Sequence, residues 1–147
     1  MTRAKRLKPI VSLAEQSTQS ALAKVGQANA ALLQGKRQLE DLLQYRNEYI
    51  ARLRDNDTVS ISAKKALGLR GFLQQVEQAI IAQQQKVSTQ QSQLKIEQQR
   101  WQQVKHKEQA MTSLMTRYHQ QEVRLAIKQE QRLVDENNIT VWQRKQH

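Results

Sequence analysis

Apolar residues recur at alternating steps of three and four along the first third of the chain. The spacing continues over six heptads, and only Thr18 and Arg46 are polar among its positions. Such a repeat predicts a coiled-coil seam, because it returns an apolar side chain to the same helix face every two turns. The seam positions are Val11, Ala14, Thr18, Ala21, Val25, Ala28, Leu32, Gly35, Leu39, Leu42, Arg46, Tyr49 and Leu53.

A second and weaker repeat follows, with Gln or Glu at five of its positions. Neither glycine nor proline occurs after Gly71, so one long helix can carry the whole repeat. Its seam positions are Leu73, Val76, Ile80, Gln83, Val87, Gln90, Leu94, Glu97, Trp101, Val104, Glu108, Met111, Met115, Tyr118, Glu122 and Leu125.

One turn separates the two repeats, where Asp, Asn, Ser and Thr follow one another at 55–60. Pro9 is suited to open the first helix, and Ser60 or Ser62 could cap the second. We predict helix one over about 10–54, a turn over about 55–61, helix two over about 62–136, and frayed ends. A short turn makes two long helices antiparallel neighbours.

The predicted fold class is therefore all-α, a long antiparallel two-helix coiled coil (a helical hairpin) forming a single domain over 1–147. Folding about the turn pairs residues 11–53 with approximately 66–108. Helix two then overhangs after about 110, although apolar residues continue there. They include Met111, Leu114, Met115, Tyr118, Val123, Leu125 and Ile127.

Composition agrees with long helices and argues against sheet folds. The 147 residues include four glycines, one proline and no cysteine, too few turn formers for a sandwich or a barrel. The absence of cysteine excludes disulfides and thiolate metal sites. No apolar run approaches the roughly 18 residues of a membrane span, and no apolar stretch follows the basic N-terminus. We expect a cytoplasmic protein.

The net charge of +11 is unevenly distributed. Residues 1–37 carry seven basic and one acidic side chain, and residues 84–147 carry eleven and six. Residues 38–83, around the turn, carry six of each. In a hairpin the positive charge lies toward both termini, and the turn end is neutral. Two ends of different chemistry indicate two different partners, and the basic end favours acidic ones.

The sequence contains no recognisable set of catalytic residues. The three histidines, His106, His119 and His147, lack metal-ligand spacing, and Gly68-Leu69-Arg70-Gly71 lacks the spacing and the Lys-Ser/Thr of a phosphate loop. Two paired helices offer no enclosed pocket. We expect a protein that is not an enzyme and that needs no cofactor and no metal. Nucleic acid is a weak alternative, because the basic residues form no dense run and few aromatics could stack on bases.

An aromatic patch lies in the neutral turn end. Tyr45 and Phe72 fall outside the seam positions, so we expect both to lean outward, as anchors of a protein interface do. Two sets of residues at helical spacing form the patch, Gln38, Leu42, Tyr45 and Tyr49 on helix one and Phe72, Val76, Ala79 and Gln83 on helix two.

The stretch from Gln38 to Tyr49, Gln-Leu-Glu-Asp-Leu-Leu-Gln-Tyr-Arg-Asn-Glu-Tyr, resembles the flagellar export protein FliJ family. Phe72-Leu73, Ala79-Ile80 and Trp101 fit the same family, and the similarity covers nearly the whole chain. The tail also fits the family, through Arg124, Glu130-Gln131-Arg132 and Asp135-Glu136.

The resemblance implies a stalk, adaptor and general chaperone of the flagellar type III export apparatus. Members insert their terminal end into the hexameric ring of the export ATPase FliI and contact the linker of the export-gate membrane protein FlhA. Other export chaperones are further partners. The protein would be a monomer at the cytoplasmic face of the cell membrane, at the flagellar base, held there only through partners.

Carried onto this sequence, the resemblance assigns a gate-contacting surface of Gln38, Leu42, Tyr45, Tyr49, Phe72, Val76, Ala79 and Gln83. Charge and topology suggest a ring-inserting end with Arg3, Lys5, Arg6, Arg124, Lys128 and Arg132.

Two alternatives remain open from sequence. One is the equivalent stalk of a virulence type III secretion system, although the Tyr-Arg-Asn-Glu-Tyr segment favours the flagellar protein. The other is a nucleic-acid-binding coiled coil, whose affinity would fall linearly with the logarithm of salt concentration on any DNA.

Overall fold

Two α-helices account for nearly all of the chain that the structure, a computed structural model, describes, which is residues 2–55 and 63–146. Helix α1 comprises Arg3–Asp55 (53 residues) and helix α2 comprises Ala63–Gln146 (84 residues). No strand occurs within these two ranges. The predicted turn lies outside the described residues except for Asp55, and so do the predicted caps Ser60 and Ser62.

The two helices pack against each other in antiparallel directions, which confirms the predicted helical hairpin. The chain forms two compact units, one of Ala21–Trp101 and one of Met1–Ser20 with Gln102–His147. In the first unit, residues of α1 contact residues of α2 in descending order along the chain, with Gly35 near Gln90 and Tyr45 near Phe72.

The predicted seams are confirmed by burial. All thirteen seam positions of α1 are buried or half-buried, and so are fifteen of the sixteen in α2. Leu125, the last position, is 60% exposed. Among the described residues the buried apolar core is small, because each helix has only one face to bury. Its members are Val11, Leu32, Val76 and Ile80.

Helix α1 begins at Arg3, well before the start near residue 10 that Pro9 suggested. Thr2 caps the helix, since its hydroxyl accepts from the Lys5 N–H at 3.3 Å and its carbonyl accepts from the Arg6 N–H at 3.1 Å. Glu122 of α2 accepts from the Ala4 N–H at 3.2 Å. A carboxylate there satisfies a free N–H and complements the positive helix terminus. Pro9 is therefore inside α1.

The earlier start of α1 shortens the overhang of α2. Met111, Leu114, Met115 and Tyr118, expected to have no partner within the chain, are half-buried. From Val123 to Gln146 every residue of α2 is exposed. The overhang predicted from about 110 thus begins at about 123, because the first turns of α1 cover the preceding seam positions.

Three glutamine side chains, which we call the amide layer, lie between or beside the helices in the middle of the first unit. They are Gln38, Gln83 and Gln90. The side-chain amide of Gln83 donates to the carbonyl oxygen of Gly35 at 3.0 Å and to Oε1 of Gln38 at 3.3 Å. Gly35 is buried, and a Cβ atom placed on it would collide with the side-chain oxygen of Gln90. The absence of a side chain at position 35 lets Gln90 approach the backbone of α1 closely.

Glu97 is the buried charged residue of the α2 seam, 7% exposed. Its Oε1 accepts from the Gln93 amide at 3.0 Å and from the Arg100 guanidinium at 3.3 Å. A carboxylate removed from water needs such donors, because desolvation disfavours its charge. On α1, Thr18 satisfies its hydroxyl within its own helix by donating to the Ala14 carbonyl at 3.0 Å.

Ile80 and Ile81 provide a matched test of the seam, since they are adjacent and 4% and 56% exposed, respectively. Ile80→Ala should lower the free energy of unfolding by about 2–4 kcal/mol, because it leaves a cavity between the helices. Ile81→Ala should change it by less than about 0.5 kcal/mol. Urea unfolding followed by circular dichroism measures both, and equal losses would contradict the seam.

Gly26 and Gly35 test the amide layer. Alanine is favoured over glycine in a helix by about 1 kcal/mol. Gly26→Ala should raise the free energy of unfolding by nearly that amount, because nothing lies within 4 Å of its Cβ position. Gly35→Ala should gain less than Gly26→Ala, since its methyl group must displace the Gln90 amide. The same urea titration measures both variants. A gain in unfolding free energy at position 35 as large as that at position 26 would contradict the close approach of Gln90 to α1.

Candidate partner-binding surfaces

Three aromatic rings form a cluster in the first unit. Phe72 of α2 lies between the two tyrosines of α1, with ring centroids 6.1 Å from Tyr45 in an edge-on arrangement and 4.8 Å from Tyr49 in a tilted one. Both geometries are favourable for aromatic pairs. Tyr45 is 48% exposed, whereas Tyr49 and Phe72 are half-buried. Tyr45 thus leans outward as predicted, and Phe72 is held between the helices more than expected.

The structure brings most of the eight residues of the aromatic patch together by direct contact. Gln38 and Gln83 are hydrogen-bonded, and Tyr45, Tyr49 and Phe72 form the ring cluster. The remaining three differ in exposure, because they occupy different helix faces. Leu42 is half-buried, Val76 is buried in the seam, and Ala79 is exposed.

A groove of about 510 Å³ lies where the two helices meet beside the amide layer. Its volume is in the range of ordinary binding pockets. Sequence reasoning identified four of its lining residues but missed Asp41. Asp41 precedes Tyr45 by one helical turn, which was the available sign that both lie on one face. The groove is lined by Gln38, Asp41, Leu42, Tyr45 and Gln83.

The second unit contains the basic start of α1. The Arg3 guanidinium lies 5.5 Å from the centroid of the Tyr118 ring, within the range of a cation–π contact. Lys5 and Arg6 are exposed in the same first turn. The N-terminus of α1 therefore exposes the cations of Lys5 and Arg6, next to Arg3, which contacts Tyr118 of α2.

The other three basic residues assigned to the ring-inserting end lie on α2 after its last contact with α1. Arg124, Lys128 and Arg132 are exposed and follow one another at steps of four. That spacing places them on one side of the helix, where they form a row of cations. Exposed apolar side chains accompany them in the overhang, among them Ile127, Val134, Val141 and Trp142.

Neither a metal centre nor a membrane span emerges from residues 2–55 and 63–146. No three His, Cys, Asp or Glu residues of this part converge as metal ligands. Neither helix, as far as it is described, has a stretch apolar enough to cross a membrane. Among the features that could recognise another molecule are the aromatic cluster with its groove in one unit and the basic, partly apolar helix end in the other.

Comparison with known proteins identifies the family. A family model described as "Flagellar FliJ protein" matches residues 3–147. Searches of curated proteins and of solved structures gave no match. The match includes both helices, the aromatic cluster and the overhang. The chain therefore belongs to the FliJ family, whose members take part in flagellar protein export.

Proposed function

We propose that this protein is a non-enzymatic stalk, adaptor and general chaperone of the flagellar type III export apparatus. In this function it inserts into the FliI hexamer and couples that ATPase to the export gate through the FlhA linker. The observation that carries the proposal is the family match over nearly the whole chain. Flagellum assembly, and with it motility and chemotaxis, would depend on the protein at the cytoplasmic face of the membrane.

The aromatic cluster is the proposed gate-binding surface. Exposed tyrosine at the edge of a packed ring cluster is a common interface anchor, because it buries a large area with little loss of side-chain entropy. The two contacts of Phe72 hold the tyrosines in place before a partner arrives. Little reorganisation would then accompany binding, which favours affinity.

The basic helix end is the proposed ring-binding surface. Arg124, Lys128 and Arg132 form an exposed row, and the apolar residues of the same overhang have no partner within the described chain. An acidic ring lumen with apolar loops would complement both features. The virulence stalk and the nucleic-acid-binding alternative receive no comparable support, since the matching family is flagellar.

Tyr45→Ala combined with Tyr49→Ala tests the gate-binding surface. The double variant should weaken binding to the purified cytoplasmic part of FlhA, linker included, by about 2 kcal/mol or more, because it removes both anchors. Isothermal titration calorimetry gives the affinity. Tyr118→Ala, which changes the tyrosine of the other unit, is the control and should bind FlhA normally. Undiminished binding by the double variant would exclude the anchor role.

Deleting residues 123–147 tests the ring-binding end. The truncated protein should keep its paired helices but lose its stimulation of FliI ATP hydrolysis, because the exposed row and its apolar neighbours are gone. A shorter deletion of residues 137–147 retains Arg124, Lys128 and Arg132 and should still stimulate. A phosphate-release assay with assembled FliI reports both, and full stimulation by the longer deletion would remove the overhang from the mechanism.

A further inference from the structure

Asp41 is the charged residue in the lining of the groove beside the aromatic cluster. The other four lining residues are a leucine, a tyrosine and two glutamines of the amide layer. Asp41 is exposed. Arg37, one turn earlier and so within reach on the same helix, forms no ion pair with it, and the salt bridge seen in the described chain joins Arg100 and Glu97. The carboxylate is thus available to a molecule that enters the groove.

Hydrogen bonding within the amide layer leaves the groove rich in acceptors. A glutamine side chain has two N–H donors, and those of Gln83 are directed to the Gly35 carbonyl and to Gln38 Oε1. The Gln83 oxygen and both oxygens of Asp41 remain as acceptors at the groove. The Gln38 amide and the Tyr45 hydroxyl can still donate, but neither is charged. A donor with positive charge therefore fits better than an anion.

Charges of both signs lie along the groove side of α1, since Arg37 precedes Asp41 by one helical turn. Glu48 follows Asp41 by seven residues, two helical turns, and therefore lies along the same side of α1. Its carboxylate accepts from the Gln44 amide at 3.3 Å. Asp41 and Glu48 are the two carboxylates on this side, and they flank the exposed ring of Tyr45 along the helix.

We propose that this groove receives a gate-protein linker segment that carries a lysine or arginine next to an apolar side chain, and that Asp41 binds the cation. The apolar side chain packs on Leu42 and Tyr45, and the cation takes the acceptors of Asp41 and Gln83. Asp41 would then determine which segment binds, since an acidic neighbour of the apolar residue would be repelled. The inference rests on the proposed function of the aromatic cluster.

Asp41→Asn tests this role in the full-length protein, with the purified cytoplasmic part of FlhA, linker included, as the probe. The change keeps the size of the side chain and removes its charge. We expect about fivefold weaker binding and a smaller dependence of the affinity on salt than in the wild type, because one charge pair is lost. Glu40→Gln is the matched control, since Glu40 is adjacent and exposed but does not line the groove. It should leave both quantities unchanged.

A charge exchange tests the pairing directly. Asp41→Lys should abolish most binding, and replacing the linker's basic residues by Glu one at a time should restore it for one of them. The tyrosine double variant separates the two hypotheses. If it loses binding while Asp41→Asn and Asp41→Lys bind like the wild type, the role of Asp41 is excluded and the proposed function stands. If the tyrosine variant also binds normally, the surface itself is excluded.

Discussion

Two helices of this length can bury their apolar stripes only against each other. Each has one neighbour, so the core is a single line of contacts, and its best-buried members are Val11, Leu32, Val76 and Ile80. Because burial of apolar area is the main favourable contribution to folding, the register between the helices matters at every position. A shift would move many seam residues to solvent together. Most other features of the molecule depend on this one-sided contact.

Gln83 and Glu97 lie within the seam and are compatible with that contact because each makes hydrogen bonds. The Gln83 side chain of α2 donates to the backbone carbonyl of Gly35 in α1, where the glycine has no side chain to obstruct it. Glu97 is buried but receives donors from its own helix. Hydrogen bonds of this kind contribute little net stability, but leaving such groups unpaired is costly. They favour the one alignment that satisfies them, and two members of the amide layer, Gln38 and Gln83, line the groove.

A fold with so narrow an interior must expose apolar residues, and their distribution bears on function. Tyr45 is half exposed beside a packed ring cluster, whereas Ile127 and Trp142 are exposed on a helix end that α1 does not reach. Contiguous exposed apolar residues with polar surroundings are typical of interaction sites. In a FliJ-family protein the two surfaces suit partners of different chemistry. One is aromatic with Asp41 beside it, and the other is basic.

The sequence alone determined the helices, their seams and the aromatic patch, because each depends on spacing within one helix. Thirteen seam positions in α1 could be read from steps of three and four, and Tyr45 could be placed outside the seam by the same count. Local spacing, however, carries no information about which residue of the other helix lies opposite. The start of α1 at Arg3 has a local cap in Thr2, but its Ala4 N–H also donates a hydrogen bond to Glu122, 118 positions away. The inclusion of Asp41 in a groove likewise depends on where Gln83 meets α1. Only tertiary structure decides such pairs, since the alignment of two helices follows from the sum of all contacts between them.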